Sequence, residues 1–155
     1  MSTPVIESIA ADLKTSIEAI TVLNGYNQTL TAVRMSRVAF DLAAAADKNV
    51  LIVQESAEVV EEKAIKSETW DQSFALVALV IDPDGSTASI DTRINQIASD
   101  IEKKLKATYT RGGYAIDTKM GTRQPFYDNG GRTTGVVVNI KIQYRTQYLD
   151  PYTVL

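Results

Sequence analysis

"GVVVNIKIQYRTQ" (Gly135–Gln147) is the stretch on which the fold turns. From Val136 to Arg145 the residues alternate without a break. Val136, Val138, Ile140, Ile142 and Tyr144 share one face, and Val137, Asn139, Lys141, Gln143 and Arg145 share the other. Side chains along a strand point to opposite faces with period two, so this pattern predicts a strand with one face in a core. Each inward Val or Ile contributes roughly 1.5–3 kcal/mol when fully buried. A one-residue slip would turn the whole set outward. After Thr146 the alternation stops, yet the chain continues through Tyr148, Asp150, Pro151, Tyr152 and Val154-Leu155. An aromatic, proline-bearing C-terminal arm, about 147–155, thus follows a very regular strand.

The segments before it set the class. In "IDTRINQIASDIEKKLKA" (Ile90–Ala107), Ile90, Ile94, Ile97, Ile101 and Leu105 recur at helical spacing and predict a core-facing stripe. Ser86 or Ser89 can cap this helix. Asp91 in its first turn and Lys103, Lys104 and Lys106 in its last complement the helix dipole, and Gly112-Gly113 stops it. An earlier amphipathic helix is expected at roughly 4–22, with Thr3 as cap, Pro4 in the first turn and Ile6, Ile9, Leu13, Ile17 and Ile20 inward. Phe74–Ile81 is apolar on both faces, as in a strand covered on two sides, and Asp82-Pro83-Asp84-Gly85 then reads as a turn. Further strands are expected at Leu30–Phe40, Val50–Val53, Ser56–Ser67 and, in "GGYAIDT", Gly112–Thr118; Lys119–Thr134 reads as a long connection. Strands that cluster rather than alternate with helices predict an α+β fold: a mostly antiparallel sheet with two main helices packed on one face, in a single domain over 1–155.

Composition removes much chemistry. The chain has 155 residues with no Cys and no His, so disulfides, thiolate catalysis, serine triads and His-bearing metal sites are excluded. No basic region followed by an apolar run opens the sequence, and the longest apolar stretch, Phe74–Ile81, is far short of the ~20 residues a membrane helix needs. A soluble product made inside the cell, with no membrane partner, is the expectation. Charge is uneven: residues 1–100 hold 7 Lys/Arg against 15 Asp/Glu, and residues 101–155 hold 9 against 4. Such a split suits either an intermixed surface or complementary faces that meet head to tail.

The remaining motifs carry no catalytic constellation. A calcium loop begun at Asp82 would need Glu at its twelfth position, where Arg93 stands. Glu55, Glu58, Glu61, Glu62, Glu68 and Asp71 are interleaved with Lys and read as a solvated surface. Gly130-Gly131-Arg132 and Arg111-Gly112-Gly113 lack the spacing and the Lys-Ser/Thr of a phosphate loop. No metal, no cofactor and no enzymatic activity are expected.

Three segments taken in order, Ile90–Ala107, Gly112–Thr118 and "VVVNIKIQYRTQYLDPY" (Val136–Tyr152), resemble the tail-terminator, or tail-completion, proteins of long-tailed bacteriophages. The similarity runs from about Phe74 to the last residue. It implies a small α+β virion protein, assembled in the host cytoplasm, that forms a ring, typically a hexamer, caps the tail tube and meets the head–tail connector or stopper. DNA would pass through such a ring without specific binding, since acidic walls repel it. The resemblance also implies a mobile loop at about 119–134. Its contacts are surfaces, so the candidate interface residues are Tyr144, Arg145, Tyr148, Asp150 and Tyr152 in the last strand and arm, with Arg123, Phe126 and Tyr127 in the loop; Tyr and Arg are favoured interface anchors. The arm is expected to reach a neighbouring subunit or the tube, the alternative being that it folds back on its own sheet. Two other readings stay open: a different neck protein, such as a head-completion or stopper subunit, or a small ligand-binding α+β domain with a concave apolar pocket.

Overall fold

The computed structural model describes residues 2–34, 49–63, 66–81, 90–127 and 133–155. In chain order the elements are helix α1 (Val5–Glu18), a 3-10 turn (Val22–Asn24), strands β1 (Ala32–Arg34), β2 (Val50–Lys63) and β3 (Ser67–Ile81), helix α2 (Ile90–Ala107), a second 3-10 turn (Arg111–Gly113), and strands β4 (Asp117–Tyr127), β5 (Thr133–Gln147) and β6 (Asp150–Val154). The strands form one sheet in the order β1-β2-β3-β5-β4, with β6 added to β5. β1 runs parallel to β2, and every other pairing is antiparallel. This is the α+β fold expected from the sequence.

β3 and β5 pair without a register shift from Ser67–Gln147 to Ile81–Thr133. Their even-numbered residues share one face, where Phe74, Leu76, Ala78 and Val80 join Val136, Val138, Ile140, Ile142 and Tyr144 in the main core. Both helices cover that face, through Ile9, Leu13 and Ile17 of α1 and Ile94, Ile97, Ile101 and Leu105 of α2. Leu51, Val77 and Leu79 form a smaller cluster on the opposite face, beside Phe126 and Val137. Leu76–Val80 is therefore buried on both sides and Ala75 half-buried, as the uniform apolarity of Phe74–Ile81 predicted for this part of it.

Several boundaries differ from the sequence reading. The first helix begins one residue later and ends at Glu18: Pro4 is its cap, in extended conformation and without a side-chain cap bond, and its carbonyl accepts from Glu7 and Ser8 N–H at 3.0 and 3.2 Å. "GGYAIDT" is not a strand at its start. Arg111, Gly112 and Gly113 all have positive φ, which curls the chain into a turn and delays β4 to Asp117. The stretch from Lys119 to Thr134, expected as a mobile connection, is strand up to Tyr127; Pro125 is tolerated there because β4 is the last strand on its side of the sheet. β2 spans both the Val50–Val53 run and most of Ser56–Ser67. The later part of the Leu30–Phe40 strand, the Asp82–Gly85 turn and the Ser86 or Ser89 cap lie outside the described residues.

Two buried charges fasten the helical layer. Asp100 of α2 is 4% exposed and accepts from the backbone N–H and the side-chain Nδ2 of Asn27, both at 2.9 Å. Arg111 is fully buried. Its Nη2 donates to the Leu105 carbonyl at 3.0 Å, to Thr108 Oγ1 at 2.6 Å and to the Thr108 carbonyl, so it caps the end of α2. Its Nη1 lies 3.6 Å from the Asp12 carboxylate of α1. Burial pulls the guanidinium pKa down, and Asp12 opposes this. By contrast, Lys14–Glu18 on α1 is a solvent-facing pair at 2.9 Å. Replacing Asp12 by Ala should therefore cost about 3 kcal/mol, by leaving a buried cation uncompensated. Lys14→Ala should cost less than about 0.5 kcal/mol. Urea denaturation of the two variants checks this, and equal losses would show that Asp12–Arg111 behaves as a surface pair.

Candidate interaction surface

Strand and helix geometry creates an overhang. Fifteen residues of β3 or β5 extend about 50 Å at ~3.3 Å per residue. Helices of 14 and 18 residues reach only about 21 and 27 Å at 1.5 Å per residue. The helices pack over the Phe74–Val80 half of β3, and Ile6 at the start of α1 reaches the groove side of its other end, beyond which the β2–β3 hairpin projects. Residues 55–61 of β2 are all exposed.

A β-bulge shapes this end. β2 pairs Gln54 with Phe74 and next Ala57 with Gln72, so Glu55 and Ser56 together oppose the single residue Ser73. The side chain of Gln72, only 2% exposed, resolves the disruption: its Nε2 donates to the carbonyls of Glu55 and Ser56 at 2.9 and 3.3 Å and to that of Ser73 at 3.0 Å. On the same face lies a groove of about 640 Å³, walled by Trp70, Tyr144, Tyr148, Leu149 and Pro151, with Ile6 of α1 at its end. Among the described residues, Glu55 and Glu68 line it as well. Trp70 Nε1 donates to Glu68 at 3.3 Å, which fixes the indole.

The C-terminal arm forms the far wall, and it folds back instead of reaching away. β4 starts opposite Gln143, which leaves the next residues of β5 open on that side, and β6 takes the place through Thr146–Val154 and Gln147–Asp150. Asp150 organises the return, accepting from Tyr152 N–H at 3.0 Å and from the Thr153 hydroxyl at 2.5 Å. The expectation of an outstretched arm is corrected to the alternative: the open edge of β5 supplies hydrogen-bond partners that a free arm would lack.

The candidate residues fall in two groups. Tyr148 and Tyr152 are exposed at the overhang, at 38% and 50%. Tyr144 is instead a core residue that shows one edge to the groove. Arg145 points to the opposite face, donating from Nε to Thr69 Oγ1 at 3.1 Å with Glu61 at 3.9 Å. Asp150 is engaged within the arm. Phe126 pairs with Gly135, nine residues along β5 from Tyr144 and so roughly 30 Å away; it is half-buried against the smaller cluster. The backbone of Tyr127 pairs with Thr134 at that same end, and Arg123 forms an ion pair with Glu102 of α2. Sequence reasoning missed Gln72, Trp70 and Leu149. A bulge is invisible until two strands are paired, and only the Trp70 indole offered a signal.

Chemically the overhang suits contact with another polypeptide. Leu149 is 88% exposed, and Val59, Val60, Val154 and Leu155 are exposed nearby in the hairpin and arm. Among the described residues no three or more Asp, Glu, His or Cys side chains come together as metal ligands, and no helix of those residues is long and apolar enough to cross a membrane. Comparison with models of known protein families and with curated protein sequences finds no match.

Burial, and then the Glu68 carboxylate, hold the proton on Tyr144 above its ordinary pKa of about 10. The unfolded chain releases that proton first, so this group does not affect stability below pH ~10 and lowers it as pH rises beyond. Tyr144→Phe should flatten the fall in stability between pH 9 and 11, as followed by denaturant titration at each pH. Parallel curves for the two proteins would show that Tyr144 titrates as an exposed phenol.

Proposed function

We propose that this chain is a structural subunit of a long-tailed phage virion: a ring-forming tail terminator that caps the tail tube and joins it to the head connector. One observation carries most of the weight. Exposed large apolar side chains are concentrated where the sheet outruns its helices, and solvent-exposed patches of that kind mark protein contact sites. The resemblance of Ile90–Ala107, Gly112–Thr118 and Val136–Tyr152 to tail terminators adds the kind of partner, and the α+β fold is compatible with it. In this reading the overhang is a subunit contact, the output is geometric, and the protein acts as a homo-oligomer in the virion neck, bound to tube protein on one side and to a connector or stopper on the other. DNA slides through the ring unbound.

The purified protein should bind tips of tail tubes assembled without a terminator, at one end only, and make them competent to join filled heads. Negative-stain electron microscopy reads the cap, and head-joining assays read the second step. Binding to isolated connectors with no affinity for tube tips would assign a stopper role instead. Absence of binding to both would overturn the proposal.

A further inference from the structure

The connection from β5 into β6 does not suit the hairpin it makes. Gln147 pairs with Asp150, so Tyr148 and Leu149 alone join the two strands. The favoured two-residue turns need positive φ at their first residue, because that conformation matches the twist of the strands. Among the described residues Arg111 is the one non-glycine with positive φ, so Tyr148 and Leu149 lack it. The ladder shows the result. Thr146, next to Gln147, pairs with Val154, so Pro151, Tyr152 and Thr153 oppose no residue of β5. The Asp150 carboxylate takes up the Tyr152 N–H and the Thr153 hydroxyl in place of a strand partner. Only beyond this loop does the arm fit the edge, with Val154 in register and Leu155 N–H donating to the Arg145 carbonyl at 3.2 Å. Pro151, Tyr152, Val154 and Leu155 are all exposed, so little apolar burial ties the arm to its own body.

We propose that this arm is exchanged between copies: β6 of one chain lies along the β5 edge of a second, where a lone copy holds its own. This deepens the ring reading by naming the contact, and it rests on the self-assembly part of that reading. The occupant follows from identity of sequence. The edge that accepts Val154 and Leu155 is the same on every copy, so the bonds made to it within one chain can be made equally on a neighbour. In both forms the arm has a β5 edge to pair with and is never outstretched and bare. What changes is the connection. A strand arriving from another copy is not tied to Gln147 of the strand it joins, so Pro151–Thr153 can straighten and the ladder can run on. Short connections that fit their own hairpin poorly favour such exchange. With the turn opened, the eight residues Tyr148–Leu155 span about 26 Å at ~3.3 Å per residue, enough to reach an abutting copy. Passed from each chain to the next, the contact is heterologous and closes a ring.

The chain has no cysteine, and Thr146 and Val154 are cross-strand partners, so thiols at these positions report where the arm lies. Thr146→Cys and Val154→Cys, purified separately, mixed and mildly oxidised, can join position 146 to position 154 only across two chains. Mass spectrometry of the digested mixture should find that linked peptide, and a non-reducing gel the matching dimer. Lys106→Cys, exposed on α2, should not link to Val154→Cys in a parallel mixture. Absence of the first linked peptide, or equal amounts of both, overturns the proposal. A chain carrying both Thr146→Cys and Val154→Cys should close within itself when oxidised in dilute solution, which also reports that it folds. In concentrated solution it should give a ladder of linked chains, and internal closure at every concentration overturns the proposal too. These tests need no virion part. Chains that exchange arms yet ignore tube tips keep the contact and lose the terminator reading. Chains that cap tubes while 146 links to 154 only within one chain do the reverse.

Discussion

β3 and β5 pair residue for residue along their whole length, and the shape of the protein follows from that ladder. Because the register never shifts, one parity of residues faces the helices from end to end. Phe74, Leu76, Val138, Ile140 and Ile142 therefore build one continuous core, and α1 and α2 have one face on which to dock. Each strand of about 50 Å is roughly twice as long as either helix. The bulge at Glu55–Ser56 and the return of β6 shape the end of the ladder where the hairpin stands exposed.

Legibility tracks how much of a segment's environment is set by its own period. β5 was readable because its alternation coincides with burial, and α2 because its Ile stripe is regular. β4 was not. "DTKMGTRQPFY" (Asp117–Tyr127) holds Gly121 and Pro125 and changes register between Met120 and Arg123. Only one side of this edge strand is paired, so neighbouring β5 imposes the extended form on residues whose own preferences favour a loop. Gly121 contributes by closeness: a Cβ there would stand 2.9 Å from the Asn139 carbonyl oxygen. The glycines at 112 and 113 misled in the opposite direction, since the Tyr-Ala-Ile run after them resembles a strand while the positive φ values bend the chain away.

The candidate surface was legible in part, for a related reason. Aromatic residues after a strand were a sound pointer to the overhang, and Tyr148 and Tyr152 are exposed there. Tyr144 was not separable from them by type, yet its even position on β5 puts it in the core. Polar residues that build the molecule were hidden more thoroughly. Asp100 and Arg111 look like ordinary surface charges in sequence. Their burial is set by where Asn27 and the end of α2 come to lie, which depends on contacts 73 residues apart for Asp100.

An apolar overhang carries a risk, because exposed strands recruit other strands indiscriminately. The arrangement of charge and edges limits this. β6 occupies the part of the β5 edge that β4 leaves open, and Pro151 removes a donor from β6 itself. Glu55, Glu58 and Glu61 stand exposed along β2, where like charge opposes the pairing of two identical hairpins. Among the described residues, the groove face is an apolar surface at this end that stays open to contact. A polypeptide docking there would be recognised by side chains rather than by backbone pairing, and side-chain recognition is the more selective of the two. Edge pairing would permit many registers, whereas a groove shaped by fixed side chains admits few geometries.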